Sequence, residues 1–261
     1  MSRGLLAVNN VVVKVGGNEL DDDQFMDRFL KALARQTEPR PVLVHGGGKE
    51  IAQLQKRLGL EPAFVDGLRV TDAASLEVAE MVLCGLINKR LVARLVVAGA
   101  RAIGLCGVDL GVIRVEKLVH PAGDLGFVGA IKSVDAGPLQ VLLEHGYLPV
   151  ISPISLAWDG TIYNVNADHA ALAVAVALGA VALYLVTNVP GVLLEGQVLP
   201  RLDSQRANQL IANGTISGGM VPKVRAAIEA VLAGVPQVRI TDVAGFEELV
   251  SGRPAGTVVV A

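Results

Sequence analysis

VVVKVGGNELDDDQFMDRFLKALARQTEPRPVLVHGGG, residues 11–48, holds the pattern that decides the fold. It opens on a Val-rich run, 11–15, that stops at Gly16-Gly17. A helical stretch, 22–36, follows, and a second apolar run, 42–45, stops at Gly46-Gly47-Gly48. Short apolar runs bounded by glycine read as buried strands, with the stretch between them as a helix. The same alternation continues to the end. Strands are predicted at 102–105, 148–152, 182–187, 237–241 and 257–260, and helices near 49–58, 73–82, 86–98, 138–145, 167–178, 203–213, 220–233 and 244–251. The pattern predicts an α/β fold, a three-layer αβα sandwich around a mostly parallel sheet.

Composition supports this. The chain is 52% hydrophobic and only 3% aromatic, so its core is built from Val, Leu, Ile and Ala, as buried parallel strands require. Its 261 residues suit one large domain or two closely packed lobes, 1–180 and 181–261. The rhythm breaks at 109–133, where VIRVEKLV and DLGFVGAI read as a hairpin on the sheet's flank. Asp159-Gly160 marks another turn. With 23 basic and 25 acidic residues the net charge is −2, which offers no footprint for nucleic acid or an anionic membrane. Residues 170–186 carry no charge, but Gly179 divides them into a helix and a strand rather than a membrane span. Cys84 and Cys106 form no CxxC and join no His cluster, so they read as small buried hydrophobes, with no disulfide or metal site.

In parallel sheets ligands gather beyond the carboxyl ends of the strands, and that is where the glycines collect. Gly16-Gly17 lets backbone N–H groups approach an anion, although such pairs also serve as plain turns. Lys14, buried in the first strand, needs an anionic partner. Three glycines at 46–48 exceed what a turn requires, and they open a helix whose N-terminus attracts negative charge. This is not a Walker A loop, because Glu50 follows Lys49 where Ser or Thr is needed. His45 reads as a structural hydrogen-bonding group, and His120, His145 and His169 lack ligand spacing.

Arg69, in a loop leading to a helix capped at Thr71 or Asp72, is a fork suited to a substrate carboxylate as well as a plain surface charge. Asn164, Asn166 and Asp168 alternate, so they project to one side; capping the following helix accounts for part of this cluster. Lys223 lies in the first turn of a helix entered through Gly218-Gly219 and Pro222. The helix dipole disfavours a cation there, so an anion is expected beside it.

Taken in order, KVGG (14–17), VHGGG (44–48), GLRVTD (67–72), NK (88–89), DLGFVG (124–129), YNVNAD (163–168), TNVPGV (187–192) and GGMVPK (218–223) resemble the amino acid kinase family across 11–260. Within it they are most similar to members that phosphorylate the side-chain carboxylate of N-acetyl-L-glutamate in arginine biosynthesis. The resemblance implies ATP with Mg2+ as phosphoryl donor. It assigns Lys14 and Lys223 to the transferring phosphoryl group and Asp168 to organising both lysines. Gly47, Gly48, Arg69 and Asn164 would hold the acylated amino acid. Gly16, Gly17, Asn188, Val189, Pro190, Gly191, Val192, Leu193, Thr215, Ile216 and Ser217 would border the nucleotide. Lobe 1–180 would carry acyl-amino-acid binding and dimerisation, and lobe 181–261 the nucleotide. A cytoplasmic homodimer is implied, with no nucleic-acid or membrane partner. A carboxylate nucleophile is already ionised at pH 7, so no general base is needed.

Two departures stand out. The family commonly has Asp at the position of Asn188, and 107–111 deviates slightly from its pattern. Arginine-inhibited hexameric relatives carry an extra N-terminal helix; here ten residues precede the first predicted strand, which leads to the expectation of an arginine-insensitive homodimer. Two alternatives stay open. One is a kinase for 2-aminoadipate linked to a carrier protein, towards which MVLCGLINKRLV (81–92) and Asn188 lean. The other is a non-catalytic nucleotide-binding relative, which would be expected to lack Lys14, Asp168 or Lys223.

Overall fold

The computed structural model describes residues 9–261. The segment on which the arginine expectation rests, residues 1–8, lies outside the described residues. Eight strands form the central sheet: β1 (Asn10–Val15), β2 (Arg40–His45), β3 (Ala102–Cys106), β4 (Leu148–Ser152), β5 (Ala182–Val186), β6 (Arg201–Asp203), β7 (Val238–Thr241) and β8 (Thr257–Val260). Their spatial order is β6-β8-β7-β5-β1-β2-β4-β3, parallel throughout except for the β7–β8 pair. All seven predicted strands are present. The pattern missed β6, three residues at the sheet edge with only Leu202 buried, too short to show a period.

Strand β1 explains the layering. Val11, Val13 and Val15 point into one core with Met26, Phe29 and Leu33 of helix Asp23–Arg35. Val12 points into the opposite core with Ala170, Ala171 and Val174 of helix Ala167–Ala177. Side chains alternate along a strand, so Lys14 shares the face of Val12 and looks towards the helix that carries Asp168. Helices cover both faces, as the sequence pattern predicted.

The expected break between two helices at 83–85 is not there. Helix Ala73–Glu80 runs through a π-helical turn, Met81–Ile87, into helix Asn88–Val97, with helical dihedrals at both junctions. Gly85 is exposed, and an exposed helical glycine weakens a helix by about 1 kcal/mol without ending it.

The flank hairpin is present as Ile113–Lys117 against Gly129–Val134, and Ile154–Ala157 and Ile162–Asn164 extend it to four strands. A smaller hairpin, Phe64–Val65 with Leu68–Arg69, turns at Asp66-Gly67, both at positive φ. Cys84 and Cys106 are free and half-buried, less enclosed than their composition suggested. Among the described residues no helix is long and apolar enough to cross a membrane.

Candidate functional site

Strand β1 lies between β2 and β5, with Val15 in register with His45 on one side and Val186 on the other. Loops Gly16-Gly17, Gly46–48 and Thr187-Asn188 therefore leave the same edge of the sheet side by side. The sheet's strand order reverses here, which opens a crevice for ligands.

The triple-glycine loop is tied down by its carbonyls. The Gly46 carbonyl is 2.9 Å from His45 Nδ1, the Gly47 carbonyl accepts from Ile51 N at 3.0 Å, and the Gly48 carbonyl accepts from Arg69 Nη2 at 2.6 Å. Gly46 N donates to Val15 O at 3.0 Å, which fastens the loop to β1. The Gly47 and Gly48 N–H groups have no partner among the described residues. Two such donors at a helix start make an anion cradle. Gly47 is required for contact: a Cβ there would lie 2.2 Å from Ile87 Cδ1 and 2.9 Å from Leu83 Cδ2, so the π-helical turn rests directly on this loop.

Lys14, 8% exposed, places Nζ 2.8 Å from Asp168 Oδ1. A Cβ on Gly16 would come within 3.2 Å of that Nζ, so the glycine leaves the ammonium free to move. Burial pushes the Asp168 carboxyl up, but the Lys14 charge and hydrogen bond, with the Lys223 charge, hold it below its ordinary value. Asp168 sits in the first turn of its helix, which Asn166 caps by accepting from Asp168 N and His169 N. Lys223, in the first turn of helix Met220–Leu232, reaches only the Gly219 carbonyl, at 3.4 Å. Among the described residues no carboxylate lies within ion-pair distance of Lys223, whose charge acts on Asp168 from farther off.

Arg69, 7% exposed, has no carboxylate partner among the described residues. Its guanidinium is held by the Gly48 carbonyl and Gln55 Oε1, and lies 4.7 Å from the centre of the Phe64 ring. Burial pulls its pKa down. A buried unpaired cation is costly and calls for an anionic ligand. Asn164 donates to Thr71 Oγ1 at 3.4 Å. Lys14, Gly47, Gly48, Arg69, Asn164 and Asp168 all line one cavity of about 260 Å3.

A second cavity of about 160 Å3 is lined by Val189, Gly191, Val192, Leu193, Thr215, Ile216 and Ser217, joined by Met220. Gly191 is needed because its φ of +155 and the nearness of Thr257 Oγ1, 2.7 Å from a Cβ, exclude a side chain. Asn188 and Pro190 line neither cavity. Gly17 starts a short 3-10 turn, Gly17–Asp21. Helix Met220–Leu232 borders this second cavity with Met220, whereas Lys223, like Gly16 and Gly17, lines neither cavity and reaches Asp168 only through its charge.

Several partners escaped the sequence reading. Glu19 is buried and accepts from Thr187 Oγ1 at 3.1 Å and Asn188 N at 3.0 Å, fastening the β1 loop to the β5 loop. In sequence it is one acid of a run, ELDDD, that looks solvated. Gln55 and Ser75, 2.8 Å apart, back up Arg69 without any motif to announce them. His45 is fully buried, which lowers its pKa to about 4, so it stays neutral and takes no part in proton transfer.

A model of the amino acid kinase family matches residues 9–242. Curated relatives include the acetylglutamate kinase of Roseiflexus castenholzii, 56% identical over 96% of this chain and 94% of its own. The acetylglutamate kinase of Chloroflexus aurantiacus is 53% identical over 91% of this chain and 93% of its own. Among solved structures, smu.665 from Streptococcus mutans superposes with a TM-score of 0.79 at 30% identity, covering 97% of this chain and 98% of that one.

Proposed function

The chain belongs to the amino acid kinase family, and from that premise we propose that it transfers the terminal phosphoryl group of ATP to the side-chain carboxylate of N-acetyl-L-glutamate. The products are N-acetylglutamyl 5-phosphate and ADP, an early step of arginine biosynthesis. The observation that carries the reading is the convergence of Lys14, Asp168, Arg69 and two free N–H groups on one cavity, beside a second cavity reached by the Lys223 helix.

Attack by one anion on another is opposed by Coulomb repulsion, so the enzyme's task is positioning and charge compensation. In this reading Arg69 and Asn164 take the amino acid's α-carboxylate and acyl group. The free N–H groups of Gly47 and Gly48 face the reacting carboxylate. Lys14, paired with Asp168, lies on one side of the transferring phosphoryl group and Lys223 on the other, with Asp168 between their charges. Residues 188–193 and 215–217 border the nucleotide, with Gly16-Gly17 beside its phosphates. Among the described residues no group of three or more His, Cys, Asp or Glu could cage a metal. A magnesium ion carried on the nucleotide's phosphates would neutralise their charge.

The test is a coupled ADP-release assay over a panel of acceptors: N-acetyl-L-glutamate, free glutamate, aspartate, and 2-aminoadipate linked to its carrier protein. N-acetyl-L-glutamate is expected to give the highest kcat/KM. ADP release that is independent of it, or faster with the carrier-linked acceptor, would contradict the assignment. The proposal extends to a cytoplasmic homodimer with the nucleotide held mainly by 181–261; light scattering should give the mass of two chains, and a single-chain mass would count against it.

A further inference from the structure

Asn88 and His45 are both buried behind the glycine cradle, 1% and 0% exposed, and the reaction scheme uses neither. Asn88 follows the π-helical turn. Its Nδ2 lies 2.9 Å from Val150 O on β4, 3.3 Å from Leu105 O on β3 and 3.3 Å from His45 Nε2 on β2. Its Oδ1 accepts from Lys89 Nζ at 3.0 Å, which fixes which end of the amide is which. The site is built around this side chain: a Cβ on Gly104 would lie 2.0 Å from Asn88 Oδ1.

The chemistry of these contacts fixes a proton. The Gly46 carbonyl only accepts, so His45 Nδ1 must donate to it, and a bare Nε2 then suits the Asn88 amide nitrogen, whose two hydrogens are shared among three acceptors. The single proton of the neutral ring then sits on Nδ1, 2.9 Å from the Gly46 carbonyl, to which it donates. That carbonyl is the one member of the Gly46–48 set held by neither a helix hydrogen bond nor the substrate-binding arginine.

We propose that Asn88 and His45 are positioning residues for the acyl-amino-acid cradle. Asn88 meets the bare Nε2 of the imidazole, and the Nδ1 hydrogen pins the Gly46 carbonyl so that the Gly47 and Gly48 N–H groups stay turned towards the bound carboxylate. The inference rests on the proposed function for the identity of the ligand, whereas the proton arrangement stands apart from it. A hub that merely joined three strands would lower stability when cut and leave the two substrates equally affected. A positioning role acts on the acyl amino acid alone.

Asparagine can place an amide nitrogen near the position of Nδ1, while leucine cannot donate at all. His45→Leu is therefore expected to raise KM for N-acetyl-L-glutamate at least tenfold, with KM for ATP within twofold of the unsubstituted enzyme. His45→Asn should recover to within about threefold, and Asn88→Ser should show the same one-sided split as His45→Leu. Equal effects on both KM values, an acyl-amino-acid KM moved less than twofold by His45→Leu, or no recovery with His45→Asn would overturn the proposal. Imidazole 15N spectra of the unsubstituted protein give a reading that needs no variant to fold. A protonated Nδ1 and bare Nε2 on His45 support the relay, and the opposite tautomer overturns it. Absence of acetylglutamate-dependent ADP release in the unsubstituted protein would instead refute the proposed function and leave the tautomer result standing.

Discussion

At the scale of single residues the site is a set of buried polar groups whose charges are set by their surroundings. Lys14 was legible because a cation buried in a strand needs an anionic partner, whereas Arg69 could equally be a surface charge until its burial decided the matter. Glu19 and Asn88 were not, since a buried acid and a solvated one look alike in sequence, and an asparagine's partners come from three other strands. His45 yields a pH prediction. Its folded pKa, lowered by burial to about 4, lies below the ordinary value of 6.5. Between those values the unfolded chain binds the proton and the folded one does not, so stability is intact above the upper value and falls as pH drops towards the lower. The loss is up to about 3 kcal/mol. Denaturant unfolding at pH 7 and pH 4.5 should show a steeper decline for the unsubstituted protein than for His45→Asn. Parallel declines would mean that His45 is not buried as a neutral ring.

At the scale of elements the informative feature is the π-helical turn Met81–Ile87. The sequence pattern left a gap at Leu83-Cys84-Gly85 between the helices near 73–82 and 86–98. The turn widens instead, and Leu83 and Ile87 seat on Gly47. Such turns recur where a helix must present side chains out of its normal register. Gly47→Ala should therefore act through this contact, destabilising the fold by about 1–3 kcal/mol through overpacking. Adding Ile87→Ala should recover part of that loss, because the 2.2 Å clash is with the Ile87 side chain. Strictly additive losses in thermal unfolding would show that the helix does not press on the loop. The edge strand Arg201–Asp203 went unread for the simpler reason that three residues carry no period.

For the whole molecule the sheet order was the decisive unknown. Strand–helix alternation gave the layers and the parallel sense, because both follow from local hydrophobic pattern. It could not say that β1 lies between β2 and β5, since strand order is settled by packing between distant segments. That order brings Gly16, Gly46–48 and Thr187-Asn188 to one edge and lets residues 14, 168 and 223 share one electrostatic field. Of the positions named by the family motifs, this order gathers Lys14, Gly47, Gly48, Arg69, Asn164 and Asp168 on one cavity, while Lys223, Asn188 and Pro190 line neither.

The central claim is that Lys14 and Lys223 jointly offset the repulsion between the nucleotide's phosphates and the incoming carboxylate. The most direct measurement is steady-state ADP release with N-acetyl-L-glutamate for Lys14→Ala and Lys223→Ala, alongside calorimetric binding of each substrate. Each variant is predicted to lose at least about 100-fold in kcat, the scale of a missing transition-state donor, while each substrate binds within about fivefold of the unsubstituted enzyme. A kcat that falls less than about tenfold in either variant would contradict the account for that lysine.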